Sequence, residues 1–103
     1  MNNAKTKEEK GVLVMDMEDT MAYMISKNYQ RRFIAEYWQV KNRYERLKMM
    51  IENWYNLKIK PVCEKEIYIE QLSYMKGYLD ILEKRAIKEG IELWYYALLF
   101  GVA

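Results

Sequence analysis

Polar and apolar residues alternate with helical periods along most of this chain. Phe33, Tyr37, Val40, Tyr44, Leu47, Ile51 and Trp54 recur at alternating intervals of four and three residues. That is the spacing of one buried helix face at coiled-coil periodicity. One flank of the stripe carries Arg32, Glu36, Gln39, Arg43 and Arg46. The other opens with Ile34 and Trp38, then turns to Lys41, Glu45, Lys48 and Glu52, whose i,i+4 pairs suit a solvated surface. The pattern predicts a helix over about 29–57. "KIKPVC" ends it, because Pro61 cannot continue a helix and pushes Lys60 toward extended geometry.

A second long helix is predicted over about 64–89. Tyr68, Leu72, Met75, Leu79, Leu82 and Ala86 form its main stripe, and Ile67, Tyr74, Tyr78, Ile81 and Arg85 form another beside it. Glu64 and Glu66 stand in the first turn, where the helix dipole favours negative charge. At the far end Gly90 can take the left-handed conformation and Ile91 can fold back onto the helix. The two long segments make an antiparallel hairpin. Ahead of it a shorter helix is expected over about 17–27, charged or capped by Asp16 and Asp19, with Met17, Met21, Met24 and Asn28 on one face and Ile25 beside it. Behind the hairpin comes "IELWYYALLFGVA", apolar but for Glu92, with a fourth helix expected over about 91–100.

One proline and four glycines in 103 residues leave little punctuation, so the expected class is all-α in a single domain over 16–103. Residues 1–15 read as a polar leader without the apolar stretch of a secretory signal. The codons of Lys10-Gly11-Val12 can spell a purine-rich ribosome-binding sequence just ahead of Met15, so Met15 is the expected natural start rather than Met1. Mass spectrometry of the natively expressed protein reads this directly.

A lone hairpin hides one seam, yet this chain is apolar well beyond one seam. Its 51% apolar residues include the tail aromatics and aliphatics Trp94, Tyr95, Leu98, Leu99 and Phe100. Each large side chain gains about 1.5–3 kcal/mol on burial, and surplus apolar surface of this kind marks an interface. A homo-oligomeric helical bundle is expected, with those five residues at the subunit boundary or packed on the hairpin of their own chain. No apolar run reaches the roughly 20 residues that span a bilayer, so a membrane role is disfavoured. The net charge of +2 disfavours nucleic acid in the same way. The chain has no histidine and one cysteine, Cys63, which removes the commonest general base and any cysteine-built zinc site. No phosphate loop or nucleophile elbow appears. The expectation is a binding protein with no metal and no cofactor, not an enzyme.

From Tyr29 to Ile91 the chain resembles a family of small phage proteins named after an uncharacterised gene product of a crAss-like phage. The similar pieces are "YQRRFIAEYWQVKNRYERLKMMI", a short loop with "PVC", and "EQLSYMKGYLDILEKRAIKEGI". Within them Tyr29, Arg32, Glu36, Arg43, Leu47, Gln71, Met75, Tyr78, Leu79 and Arg85 carry the pattern. The Met-rich entry helix and the aromatic tail are departures from it. The resemblance implies phage origin and expression in a bacterial cytoplasm, and it brings no settled chemistry.

Two readings of the polar residues stand side by side. Arg85 lies on an apolar stripe and needs a partner if buried; with a turn near residues 60–61, Glu36 falls opposite it and four residues from Arg32. This network would fix helix register. In the functional reading, Arg32, Arg43 and Arg85 contact phosphate while Tyr29, Trp38 and Tyr78 stack on base or ribose. Ten tyrosines against two phenylalanines fit rings that stay half-wet. The expected function is an accessory protein that counters host defence by sequestering a nucleotide-derived signal, a cyclic nucleotide or an ADP-ribose-type molecule, between subunits. The alternative is an inhibitor or adaptor that docks on a host defence protein.

Overall fold

The structure, a computed structural model, describes residues 15–93. Among them the chain is all-α, with no strand and three helices: α1 (Thr20–Met24), α2 (Tyr29–Glu52) and α3 (Lys65–Glu89). α2 is the central element. Its residues Tyr29, Phe33 and Tyr37 meet Glu89, Arg85 and Glu83 of α3, so the two long helices run antiparallel. Its opposite face meets α1: Arg31 lies over the Tyr23 ring, Gln39 reaches Thr20, and Asn42 donates to the Met15 carbonyl.

α1 is shorter than its sequence pattern and buries different residues. Its Met-rich stripe faces solvent, with Met21 and Met24 exposed and Ile25 83% exposed. Met15 and Thr20 are buried instead. A five-residue helix completes little more than one turn, so a stripe read at 3.6-residue period does not persist across it. The Thr20 hydroxyl donates to the Met17 carbonyl and accepts from Gln39, which satisfies a buried polar group. Asp16 accepts from the Asp19 amide at 2.9 Å and so orders the turn before the helix. Asn28 then caps α2 by accepting from the Arg31 amide at 3.1 Å, so α1 and α2 are separate helices. Met15, read from sequence as the end of a leader, is 2% exposed and belongs to the core.

α2 stops at Glu52, five residues short of the expected end. The Asn53 side chain donates to the Met49 carbonyl, and a single 3₁₀ turn follows over Trp54–Asn56. Lys60 donates to the Trp54 carbonyl and closes this corner. The early stop moves the midpoint of the connection toward α2. Arg85 therefore comes to lie over Phe33, at 4.8 Å, nearly a turn away from the expected Glu36.

Packing is concentrated at the open end of the hairpin. Phe33, Ile34, Ala35, Tyr37 and Trp38 pack with Leu79, Leu82, Ala86, Ile91, Leu93 and Met15. Toward the loop the seam is only half-buried at Tyr44, Leu47, Ile51, Leu72 and Met75. Trp54 and Tyr68, ring centroids 5.9 Å apart, close that end. At the end of α3 the Ile91 amide donates to Ala86 at 2.9 Å and the Gly90 amide to Ile87, while Gly90 holds φ 70°. This left-handed cap turns Ile91 and Leu93 back onto the core. Gly90→Ala should cost about 1–2 kcal/mol from the φ penalty alone, read as a lower urea midpoint with an unchanged slope.

The first three residues of the helix expected over 91–100 are not helical, because the Gly90 cap turns them back onto the core; the tail residues Trp94, Tyr95, Leu98, Leu99 and Phe100, and with them the rest of that helix and its part in an oligomer, lie outside the described residues. Among the described residues no helix is long and apolar enough to cross a membrane.

Candidate functional site

Residues 29, 32, 36 and 43 of α2 fall on one flank of the hairpin, because steps of three, four and seven residues return to nearly the same helix face. Residues 74, 78, 81 and 85 of α3 border it from the other side. The pairing of Tyr78 with Glu36 ties the two helices along this flank. Five of the six residues expected to bind a ligand therefore share it: Tyr29, Arg32, Arg43, Tyr78 and Arg85. All five are exposed.

Arg85 is the most elaborately held of them. Its Nε donates to Glu89 at 3.2 Å and its terminal nitrogen to the Tyr29 hydroxyl at 2.7 Å. Tyr29 in turn donates to the other Glu89 oxygen at 2.8 Å. The guanidinium also lies against the Phe33 ring, a cation–π contact on the apolar side of the site. Two hydrogen-bonding side chains and a ring thus fix the orientation of an arginine whose side chain is 45% exposed. Its remaining donors face water, the arrangement an incoming anion requires.

The register network expected from sequence takes a different form. Among the described residues no ion pair joins Glu36 to Arg85; Glu36 accepts from Tyr78, Arg85 pairs with Glu89, and Arg32 donates to the Ser26 carbonyl at 2.8 Å. The register set by the early end of α2 is the reason. Trp38 departs further. It is 3% exposed, stands edge-on to Tyr37 with centroids 5.1 Å apart, and donates its indole N–H to the Leu93 carbonyl at 2.6 Å. A ring so enclosed holds the 91–93 strap and offers no face to a ligand.

Hydrogen bonding on the flank favours neutral phenols and an ionised Glu89. The hydrogen bond to Glu89, followed by burial, raises the Tyr29 phenol, and the same bond from Tyr29 is the largest cause that lowers the Glu89 carboxyl. Tyr78 is raised chiefly by its hydrogen bond to Glu36. Near pH 7 the Tyr29 and Tyr78 phenols stay protonated, Glu89 ionised and Arg85 cationic, a fixed pattern of donors and acceptors. Sequence reasoning missed Glu89, although its place four residues after Arg85 was a usable signal.

An open cleft of about 420 Å³ lies on the other side of α3, between its last turns and the strap. It is lined by Ala86, Ile87 and Ile91 with the carboxylates of Glu83 and Glu92. Among the described residues no cationic side chain lines it, so they offer a phosphate no partner there. Among the described residues no cluster of acidic or cysteine side chains could hold a metal ion.

No curated protein and no solved structure is significantly similar to the chain. The Sequestin family model, by contrast, matches residues 27–88, from the residue before the α2 cap to the last residue but one of α3. The match takes in both long helices and the whole arginine–tyrosine flank but for Glu89. It spans more than half of the sequence, and the chain belongs to the Sequestin family.

Proposed function

We propose that this protein acts by binding rather than by catalysis, sequestering a nucleotide-derived immune signal and so serving as a phage accessory factor against host defence in the bacterial cytoplasm. The observation that carries the reading is the exposed flank on which Tyr29, Arg32, Arg43, Tyr78 and Arg85 stand together, with Arg85 oriented by Tyr29 and Glu89. The family's name, Sequestin, speaks of the same kind of action. Arginine forks supply the phosphate contacts. The half-exposed rings of Tyr29 and Tyr78 supply stacking for a base, and the Glu36 and Glu89 carboxylates can accept from ribose hydroxyls. Pockets completed by a second copy would raise the buried fraction of so polar a ligand, which a single open flank leaves wet.

The test is depletion and recovery. Excess protein is incubated with cyclic dinucleotides or with ADP-ribose-type cyclic signals, the filtrate is assayed, and the protein is then heat-denatured. Sequestration predicts that one signal disappears from the filtrate and returns chemically unchanged after denaturation. Return of an altered molecule would instead indicate an enzyme, and no depletion of any of them would overturn the reading. The exposed apolar residues Ile67, Tyr74 and Ile81 favour a second reading, an inhibitor or adaptor for a host defence protein. A stoichiometric host partner recovered from infected cells, with no small molecule bound, would favour it.

A further inference from the structure

The outer face of α3, opposite the stripe that meets α2, carries a self-complementary pattern. Within about 60° of Gly77 around the helix lie Glu66, Glu70, Ser73, Tyr74, Asp80, Ile81, Lys84 and Lys88. All but the half-buried Asp80 are exposed, with Tyr74 at 69% and Ile81 at 52%. Apart from Asp80, at the edge and paired with Lys76, the face is acidic in its first half and basic in its second, with a small and apolar centre.

Three features of this face lack a cause within one chain. Gly77 sits in the middle of a 25-residue helix, where glycine is the poorest residue after proline. A Cβ placed there would meet nothing within 4 Å, so no close approach inside the chain calls for it. Glu66 and Glu70, and likewise Lys84 and Lys88, are like charges at i,i+4, which repel each other along a helix. Among the described residues Glu66, Lys84 and Lys88 make no ion pair. The helix dipole favours the outermost acid and base, but its influence fades within a turn; Glu70 accepts from the Tyr74 hydroxyl at 3.3 Å, which leaves Lys84, the glycine and the exposed Ile81 unaccounted for.

We propose that this face binds a second copy of the chain, α3 against α3, antiparallel about a two-fold axis at Gly77. Position i of one copy then faces position 154 − i of the other, from the two-fold at residue 77. Glu70 meets the other copy's Lys84, and Glu66 meets its Lys88. Ile81 packs beside the other copy's Ser73 and Tyr74. The paired residues span about 33 Å of helix. Gly77 lets the two backbones approach at the crossing, and each like-charged pair gains two opposite partners. The arrangement goes beyond the ligand reading and is read without any ligand, so the two fail or stand separately. It also sets the Tyr78 and Arg85 flank at the margin of the dimer.

The experiment is equilibrium sedimentation of the full chain at micromolar concentrations, with circular dichroism as the check on folding. The wild type should be dimeric, more weakly so in high salt. Gly77→Leu removes a helix breaker where its own chain has room, so its helicity should hold or rise while the dissociation constant rises roughly 10²-fold. K84E/K88E makes both ends of the face acidic, and E66K/E70K makes both ends basic. Each should be monomeric alone, and a one-to-one mixture should restore a dimer. A monomeric wild type, a Gly77→Leu that associates as the wild type does, or a mixture that fails to pair overturns the proposal.

Discussion

Replacing Tyr37 with alanine should remove most of the stability of this fold. The ring is fully buried between α2 and α3, packs edge-on against Trp38, and donates its hydroxyl to Glu83 at 2.7 Å. Truncating a buried aromatic costs about 3–5 kcal/mol, against roughly 5–15 kcal/mol for a whole domain. Since the seam is tightly packed only near Tyr37, little else compensates. Urea unfolding followed by far-ultraviolet dichroism checks it, and a loss below about 1 kcal/mol would contradict the packing described. Tyr37→Phe keeps the ring and should lose less, about 1.5–3 kcal/mol, the worth of one hydrogen bond to a carboxylate.

The same residue gives the protein an alkaline limit. Burial first, and then the bond to Glu83, raise the Tyr37 phenol far above its ordinary value. The unfolded chain releases that proton near pH 10, while the native state keeps it. Its contribution is therefore complete below about pH 10 and declines as pH rises toward the native value. In Tyr37→Phe this part of the decline should vanish.

The second large effect concerns binding, not stability. Arg85→Ala should weaken the proposed nucleotide ligand by roughly 10–10²-fold, because a charge-assisted hydrogen bond is worth about 1.5–3 kcal/mol. Unfolding should barely change, since the side chain is largely exposed and its pairing with Glu89 is a surface one. Arg85→Lys should not restore affinity: an ammonium cannot hold Glu89, Tyr29 and a phosphate in one plane. Titration calorimetry with the signal retained in the depletion assay reads both variants. Equal loss of stability and of affinity would reassign Arg85 to a purely structural role.

Much of this was legible from residue spacing. The stripe from Phe33 to Trp54 announced α2, and Gly90 followed by Ile91 announced the cap that ends α3, because backbone hydrogen bonding and side-chain period are local. The grouping of Tyr29, Arg32, Arg43, Tyr78 and Arg85 could also be read, since residues on a helical flank stay together once the hairpin forms. Trp38 stood apart from them, with Ile34 on the flank opposite the arginine row. What spacing did not show is that the strap folds back over it and that the Leu93 carbonyl accepts its indole N–H. The methionine stripe of α1 misled for a related reason: in one turn of helix, the neighbour chooses which side is inside.

The sequence by itself determined that the described chain is helical, that its two long helices pair antiparallel, and which side chains line each face, because those follow from periods of three and four and from where glycine and proline interrupt them. Only the tertiary structure decided the register. The end of α2 at Glu52 set the midpoint of the connection, and that midpoint gave Arg85 to Phe33, Tyr29 and Glu89 instead of Glu36. Register is a sum over packing along the whole seam and the reach of one loop, so no local run of residues encodes it.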